Sequence, residues 1–330
     1  MNIKILYYIN YMKIAILDNK NEDIGLKILF PEADYYYCST TSDRSDSYSY
    51  YNFQPRLDTE NITDNNYDVL FVIMPVRHIL NDEVAVKDIR GNYENIIKPI
   101  IFNNNFKFLA FFDNEDYDVN PNKYIQHPNI HFFKRNYDKN VYYEKNVYPF
   151  PFIMFGKTSL IEKIDRQLVS KEKYMSIKNN RVFYTGGLYH HVKNEFNVNV
   201  NRIEIYNQIN KYITNPGSLD NNSFINFMQN SKYSVDLLGA GNPNIRTFEI
   251  LVSGSLLLQQ KNNLVWPFPE KFSNECFFAN GEEFINNLQK LNNNDELYKN
   301  CLENQYQIVS KYFNKEWLKN YILSKINIQL

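Results

Sequence analysis

Asn242-Pro-Asn-Ile-Arg-Thr-Phe-Glu-Ile-Leu-Val-Ser-Gly254 lies between two apolar runs, and this arrangement is the main signal for the fold. The run before it is Tyr233-Ser-Val-Asp-Leu-Leu238, and the run after it is Ser255-Leu-Leu-Leu-Gln259. Short apolar runs of this kind indicate buried strands, and glycine at position 254 is a residue type that commonly ends a helix. The pattern therefore predicts a strand, a polar loop, a short helix and a second strand, as in a parallel sheet covered by helices.

The start of this predicted helix carries two charged side chains on one face. Arg246 lies in the first turn and Glu249 follows three residues later. A helix N-terminus favours phosphate, and a guanidinium adds a forked donor at the same place. An ionised carboxylate only accepts hydrogen bonds, which suits the adjacent hydroxyls of a ribose. The two residues predict a nucleoside-diphosphate site; the alternative is an ordinary surface ion pair, which contributes little to stability.

Polar residues around the helix start are further candidates for the same site. Asn242 and Asn244 can bind a sugar or a phosphate, or can simply shape the turn. Thr247, which follows Arg246 directly, is also a candidate donor-binding residue.

An earlier strand, Arg181-Val-Phe-Tyr-Thr-Gly-Gly187, runs into two glycines. Gly186 and Gly187 permit close approach of a ligand to the backbone, although tight turns use the same pair. His190 and Lys193 follow as candidate phosphate or sugar contacts, and Arg202 is a further source of positive charge. The alternative for the histidine is a solvated loop residue.

The Arg-x-x-Glu helix that ends in a small residue and glycine resembles the donor-binding motif of GT-B glycosyltransferases, especially the CgeB-like and group-1 families. The resemblance covers roughly Arg181 to the C-terminus. A weaker similarity lies earlier, in Phe133-Lys-Arg-Asn-Tyr137 followed by Tyr148-Pro-Phe-Pro-Phe152.

This resemblance implies an α/β protein with two Rossmann-like domains that face each other across a cleft. Residues 1–152 would form the acceptor-side domain, and residues 153–330 the sugar-nucleotide-binding domain with a helical tail. Chains of this fold commonly end with a helix that crosses back to the first domain. Tyr312-Phe-Asn-Lys-Glu-Trp317 resembles the start of such a helix.

The first half contains the strands that such a domain needs. The apolar runs Lys13–Asp18, Tyr67–Met74, Phe106–Phe112 and Ile130–Phe133 predict buried parallel strands. Residues 39–65 are rich in Ser, Asp, Tyr and Asn and lack periodicity, so we expect a flexible loop, either an acceptor-gating loop or a plain insertion. Pro149 and Pro151 mark the predicted crossing to the second domain.

The resemblance implies a glycosyltransferase that moves a sugar from a nucleotide-diphosphate sugar to a glycan, a lipid-linked sugar or a protein. UDP or GDP is the favoured donor nucleotide, and neither a cofactor nor a metal ion is expected. Asp113 and His78 are candidate general bases, because both are predicted to follow strand ends. Two alternatives stay open: a metal-dependent transferase that uses Asp116 and Asp118, and an inactive binding or scaffold protein of the same fold.

Composition narrows the class of protein further. The formal net charge is -1, which argues against a dominant nucleic-acid surface. The sequence contains no run of eighteen or more apolar residues, so no transmembrane helix is predicted. The chain has 3 cysteines without metal-ligand spacing, so a reduced, cytoplasmic protein is expected.

Overall fold

The computed structural model describes residues 12–18, 25–37, 62, 66–73, 106–113, 121–124, 130–150, 168–186, 198–239 and 244–326. The chain divides into two compact units. Unit 1 comprises Met1–Ile161, Val265–Pro267 and Lys315–Leu330, and unit 2 comprises Glu162–Leu264 and Phe268–Asn314. The predicted loop at 39–65 lies outside the described residues, apart from Ile62.

Unit 1 is built on a parallel sheet. Its described strands are β1 (Ile14–Asp18), β2 (Asp34–Tyr37), β3 (Val69–Ile73), β4 (Phe108–Asp113), β5 (Ile130–Lys134) and β6 (Val147–Pro149). They pair in the order β2-β1-β3-β4-β5-β6. All five residues of β3 are buried, which explains why this central strand is continuously apolar.

Aromatic side chains fill much of the unit 1 core. Phe112 and Phe133 stack with their ring centroids 4.7 Å apart across β4 and β5. Tyr67 donates a hydrogen bond of 2.6 Å to the carboxylate of Asp34. The stacked Phe112 and Phe133 rings therefore pack two neighbouring strands against each other.

The C-terminal helix belongs to unit 1. Unit 1 contains α1 (Gly25–Leu29), a 3₁₀ turn (Pro121–Tyr124) and the last helix of the chain, Lys315–Lys325, labelled α8 below. This helix packs on α1, and Tyr321 donates a 2.8 Å hydrogen bond from its hydroxyl to the Pro149 carbonyl. The expectation that the last helix returns to the first domain is confirmed.

Unit 2 is also a parallel α/β unit. Its described strands are β7 (Asn179–Phe183), β8 (Ser231–Asp236), β9 (Leu256–Gln260) and β10 (Phe277–Phe278), in the order β10-β9-β8-β7. Its helices are α2 (Lys171–Tyr174), α3 (Val198–Ile209), α4 (Asn221–Gln229), α5 (Ile245–Ser253), α6 (Gly281–Asn292) and α7 (Asp295–Tyr312). Short 3₁₀ turns lie at Asn210–Tyr212 and Asn274–Cys276. None of the helices in the described ranges is long and apolar enough to span a membrane.

The predicted strand–loop–helix–strand order is confirmed as β8, α5 and β9. Strands β8 and β9 pair in parallel, with Asp236 opposite Gln259. Asn244 caps the start of α5, and Gly254 ends it in the left-handed conformation with φ 83°. A residue without a Cβ adopts this φ at little cost, so the glycine stops the helix as predicted.

Candidate functional site

The candidate site lies where α5 begins, at the carboxyl end of β8. After β7 the chain first adds a β-bridge at Thr214 on one side of this strand, and then adds β8 on the other side. The order in which strands join the sheet therefore reverses at β7. Open parallel sheets bind ligands at the carboxyl ends of strands beside such a reversal. The N-terminus of α5 therefore stands at the edge of the sheet where a ligand is expected.

Arg246, in the first turn of α5, has two side-chain nitrogen atoms without a hydrogen-bond partner among the described residues. Its Nε lies 3.5 Å from Oε2 of Glu249, which is an ion pair at long range. Its guanidinium carbon lies 4.2 Å from the centroid of the Phe224 ring, a cation–π contact with α4. The Nε and Nη1 atoms of Arg246 are buried, and neither has a hydrogen-bond partner among the residues that the structure describes. Buried donors without partners are rare and costly, so these two require an explanation.

Glu249 lies on the same face of α5, as its spacing from Arg246 predicts. The side chains of Arg246 and Glu249 are 29% and 11% exposed, respectively. Both side chains are thus more buried than those of an ordinary surface ion pair, which was the alternative interpretation of the sequence. An inward-facing carboxylate can accept hydrogen bonds from two adjacent hydroxyls.

Asn244 and Thr247 hold the first turn of α5 in place. The side-chain oxygen of Asn244 accepts a 3.2 Å hydrogen bond from the backbone N–H of Thr247. The side chains of both residues also donate to Asp236. The two side chains therefore connect the first turn of α5 to the end of β8 through hydrogen bonds.

Asp236 is the main residue that sequence reasoning missed. It lies at the end of β8 and is only 3% exposed. Burial raises the pKa of the Asp236 carboxyl, and hydrogen bonds from Thr247, Asn244 and Gln259 oppose this effect. A charged residue inside the apolar run Tyr233–Leu238 was the signal that could have identified it.

Arg202 on α3 brings a second guanidinium to the end of β8. Its Nε donates a 2.7 Å hydrogen bond to the carbonyl of Leu238. A Cβ built on Gly239 would lie 2.5 Å from Nη2 of Arg202, so a larger residue here would require the end of the Arg202 side chain to shift. Burial raises the pKa of Tyr184, and the charges of Arg202 and Arg246 oppose that rise, which places both cations near one phenol.

Gly186 follows β7 at the same edge of the unit 2 sheet. A Cβ at this position would lie 3.2 Å from the Tyr184 hydroxyl. The remaining predicted residues lie outside the described ranges, so their positions stay predictions: His78, Asp116, Asp118, Gly187, His190, Lys193 and Asn242.

Asp113, the candidate general base, is the last residue of β4 in unit 1 rather than a residue beyond the strand. Its carboxylate lies 3.4 Å from Nζ of Lys134 on β5, and both side chains are 1% exposed. Within the described residues, no group of three or more His, Cys, Asp or Glu side chains could hold a metal ion.

Comparisons with known proteins give one matching family model and several solved structures of similar fold. Residues 189–323, which include Arg202, Arg246 and Glu249, match a family described as glycosyl transferase-like. Among curated proteins, no relative matches the chain.

Solved structures resemble the chain over most of its length. T4 phage β-glucosyltransferase matches with a TM-score of 0.51 and 13% identity, over 96% of this chain and 100% of that chain. The DNA-modifying enzyme β-glucosyltransferase, solved with and without uridine diphosphoglucose, matches with a TM-score of 0.50 and 14% identity over the same shares. UDP-GlcNAc 2-epimerase of Methanocaldococcus jannaschii matches with a TM-score of 0.40 and 12% identity, over 91% of this chain and 99% of that chain. The chain therefore has the GT-B fold and resembles GT-B glycosyltransferases, as the Arg-x-x-Glu helix indicated.

Proposed function

We propose that this chain is a glycosyltransferase whose donor is a nucleoside-diphosphate sugar, with the diphosphate bound at the start of α5. The observation that carries the proposal is the pair of buried donors on Arg246 that find no hydrogen-bond partner within the described part of the chain. An oxygen-rich anion at the helix N-terminus would satisfy both donors and would gain from the helix dipole.

The same arrangement suits the chemistry of sugar transfer. Negative charge grows on the diphosphate as the bond to the sugar breaks, so fixed cations near it stabilise the transition state. Arg246 and Arg202 supply such cations from α5 and α3, and the N-terminus of α5 adds a positive dipole end. We propose that these groups neutralise the leaving diphosphate without a bound metal ion. Glu249 is the proposed acceptor for the ribose hydroxyls, because its carboxylate only accepts hydrogen bonds.

The donor nucleotide and the acceptor are narrower proposals. Uridine diphosphoglucose is the substrate named for the DNA-modifying β-glucosyltransferase of similar fold, which makes UDP and UDP-glucose the first ligands to test, with GDP next. The proposed acceptors are a glycan, a lipid-linked sugar or a protein. DNA belongs in the acceptor screen because of the same relative, although the net charge of -1 does not favour it.

Calorimetry with UDP, GDP, CMP and ADP tests the donor site directly. We expect one nucleotide to bind the wild type and Arg246→Ala to bind it about 10- to 100-fold more weakly, because charge-assisted hydrogen bonds contribute about 1.5–3 kcal/mol. Glu249→Ala should lose affinity for the nucleoside diphosphate but keep its affinity for pyrophosphate.

Arg181→Ala is the matched control for Arg246→Ala. Arg181 also lies over a phenylalanine of α4, with its guanidinium carbon 4.3 Å from the Phe227 ring centroid. Its replacement removes an equivalent cation–π contact but no proposed phosphate ligand, so the nucleotide affinity should not change. Equal losses in the two arginine variants would contradict the proposed site.

Turnover separates the transferase from the alternatives. Release of nucleotide from the donor sugar, unchanged by EDTA, supports a metal-independent transferase. Activity that requires a divalent ion would favour the Asp116 and Asp118 alternative. Nucleotide binding without turnover would favour an inactive binding protein, and no binding at all would favour a scaffold.

A further inference from the structure

Asp236 lies beneath the proposed donor site and accepts three hydrogen bonds from two other elements. Asn244 Nδ2 donates to its Oδ1 at 3.0 Å. Thr247 Oγ1 and Gln259 Nε2 donate to its Oδ2 at 2.5 and 3.0 Å. A buried carboxylate is costly unless donors surround it, and these three side chains supply such donors to both of its oxygens.

These three partners connect the helix start to the sheet. Asn244 is the N-cap of α5, and Thr247 is its third helical residue. Gln259 lies on β9, directly opposite Asp236 in the parallel pairing. The Asp236 carboxylate on β8 thus connects to β9 and to two residues of the first turn of α5. Arg246 lies between these two residues, Asn244 and Thr247, along the chain.

We infer that Asp236 is a positioning residue of the donor site: it locks the first turn of α5 onto β8 and β9, so that Arg246 and the N–H groups of the helix start point at the ligand. This inference rests on the proposed function for its ligand, but the contacts that carry it do not depend on the ligand. Groups preorganised in this way stabilise charge without reorganising when the ligand arrives.

Two physical effects of Asp236 predict opposite results, which makes the inference testable. Its negative charge lies near that of the anion to be bound, so electrostatics alone predicts that a neutral residue would strengthen nucleotide binding. Positioning predicts the reverse, because loss of the charged acceptor loosens the turn that carries Arg246. We expect Asp236→Asn to bind the nucleotide about tenfold more weakly, since a tenfold change corresponds to the loss of one modest hydrogen bond.

Gln305→Leu serves as the control for a general loss of stability in unit 2. Gln305 on α7 is also fully buried and also makes three contacts: with the N–H of Leu257, the carbonyl of Ser255 and the hydroxyl of Tyr174. None of these groups belongs to the proposed donor site. We expect Gln305→Leu to lower the melting temperature while leaving the nucleotide affinity unchanged.

Thr247→Val tests the connection from the helix side, because it removes one donor to Asp236 with little change in volume. We expect it to weaken nucleotide binding in the same direction as Asp236→Asn. The double variant should be little worse than either single variant, since both changes break the same connection.

Hydrogen exchange supplies a readout that needs no ligand. In Asp236→Asn, amide exchange over residues 244–253 should be faster than in the wild type, and Gln305→Leu should not show this local effect. Unchanged exchange there, nucleotide binding as tight as or tighter than in the wild type, or equal weakening by Gln305→Leu would each overturn the inference. If the wild type binds no nucleotide, the proposed function fails, while the exchange experiment still decides whether Asp236 holds the helix start.

Discussion

At the scale of single residues, Asp113 and Lys134 form the most deeply buried ion pair of unit 1 among those described. Their charged atoms lie 3.4 Å apart, and each side chain is 1% exposed. Removing one member of a buried pair is more damaging than replacing both, because the remaining charge loses its compensation. Asp113 also ends β4 on the carboxyl side of the sheet, where catalytic groups of parallel sheets are found. A stabilising role and a catalytic role therefore need separate tests.

We propose that Asp113 acts as the general base, and Asp113→Asn should lower kcat by about 10²- to 10⁴-fold while the nucleotide affinity stays unchanged. A buried carboxylate in the ligand-free protein does not exclude this role, because catalytic contacts often form only with substrate present. Donor-to-acceptor transfer under saturating donor measures the effect.

The double variant Asp113→Asn with Lys134→Met separates the two roles. It removes both charges, so it should recover much of the stability lost in the single variant. If Asp113 is the base, the double variant stays inactive. Recovery of kcat in the double variant would show that Asp113 acts only through the ion pair.

At the scale of elements, the end of α5 depends on one glycine in close contact with another helix. Gly254 has φ 83°, and a Cβ there would lie 3.1 Å from the Cα of Tyr174 on α2. Gly217 has a similar φ of 78°, but a Cβ added there would meet nothing within 4 Å. The two glycines share the backbone requirement and differ in the space around them.

Gly254→Ala should therefore destabilise the protein more than Gly217→Ala. A left-handed alanine costs about 1–2 kcal/mol at either position, and crowding of a packed site adds about 1–3 kcal/mol at Gly254 alone. Urea unfolding of both variants measures the difference. Equal losses of free energy would mean that α2 shifts freely and that packing at Gly254 is loose.

At the scale of the whole molecule, the order of residues along the chain does not match the division into units. Helix α7 lies in unit 2, whereas α8 directly after it lies in unit 1. The ring of Tyr321 on α8 stacks on Phe150 with centroids 6.3 Å apart and planes 12° apart. Lys319 on the same helix pairs with Glu32 at 2.7 Å. The last helix thus contributes core contacts to the first unit.

Tyr321→Ala should loosen unit 1 even though the change lies near the C-terminus. Removal of a largely buried aromatic ring costs on the order of 3 kcal/mol, and here it also leaves the Pro149 carbonyl without its hydroxyl donor. Hydrogen exchange should rise around residues 130–150 and remain unchanged around β8 and β9. The ring of Tyr298 on α7 packs against Tyr233 with centroids 5.6 Å apart. Tyr298→Ala should therefore raise hydrogen exchange around β8 and β9 and leave it unchanged around residues 130–150. Increased exchange in unit 2 for Tyr321→Ala would contradict this assignment.

Much of the fold could be predicted because its signals are local. The apolar run around β3 predicts a central strand, and the structure buries every residue of it. Gly254 predicts the end of α5, because this kind of helix stop depends on a residue next to the helix. The face shared by Arg246 and Glu249 follows from the helical repeat alone.

The candidate site was less predictable because its support comes from distant residues. Asp236 lies in an apolar run, and only the pairing of β8 with β9 brings Gln259 opposite it. Arg202 is far from Gly239 in sequence, and only the packing of α3 shows that the two are in contact. No local pattern reports such contacts.

Three features could be read from the amino-acid sequence alone: the strand–loop–helix–strand unit, the position of Arg246 and Glu249 on one helix face, and the resemblance to GT-B glycosyltransferases. These features depend on hydrophobic periodicity, capping and glycine, all of which act within a few residues. The folded structure was needed to show that two Arg246 donors are buried with no partner among the described residues, that Asp236 accepts a hydrogen bond from the first turn of α5, and that α8 belongs to unit 1. Burial and hydrogen bonding between distant segments exist only once the chain has folded, which is the physical reason for this division.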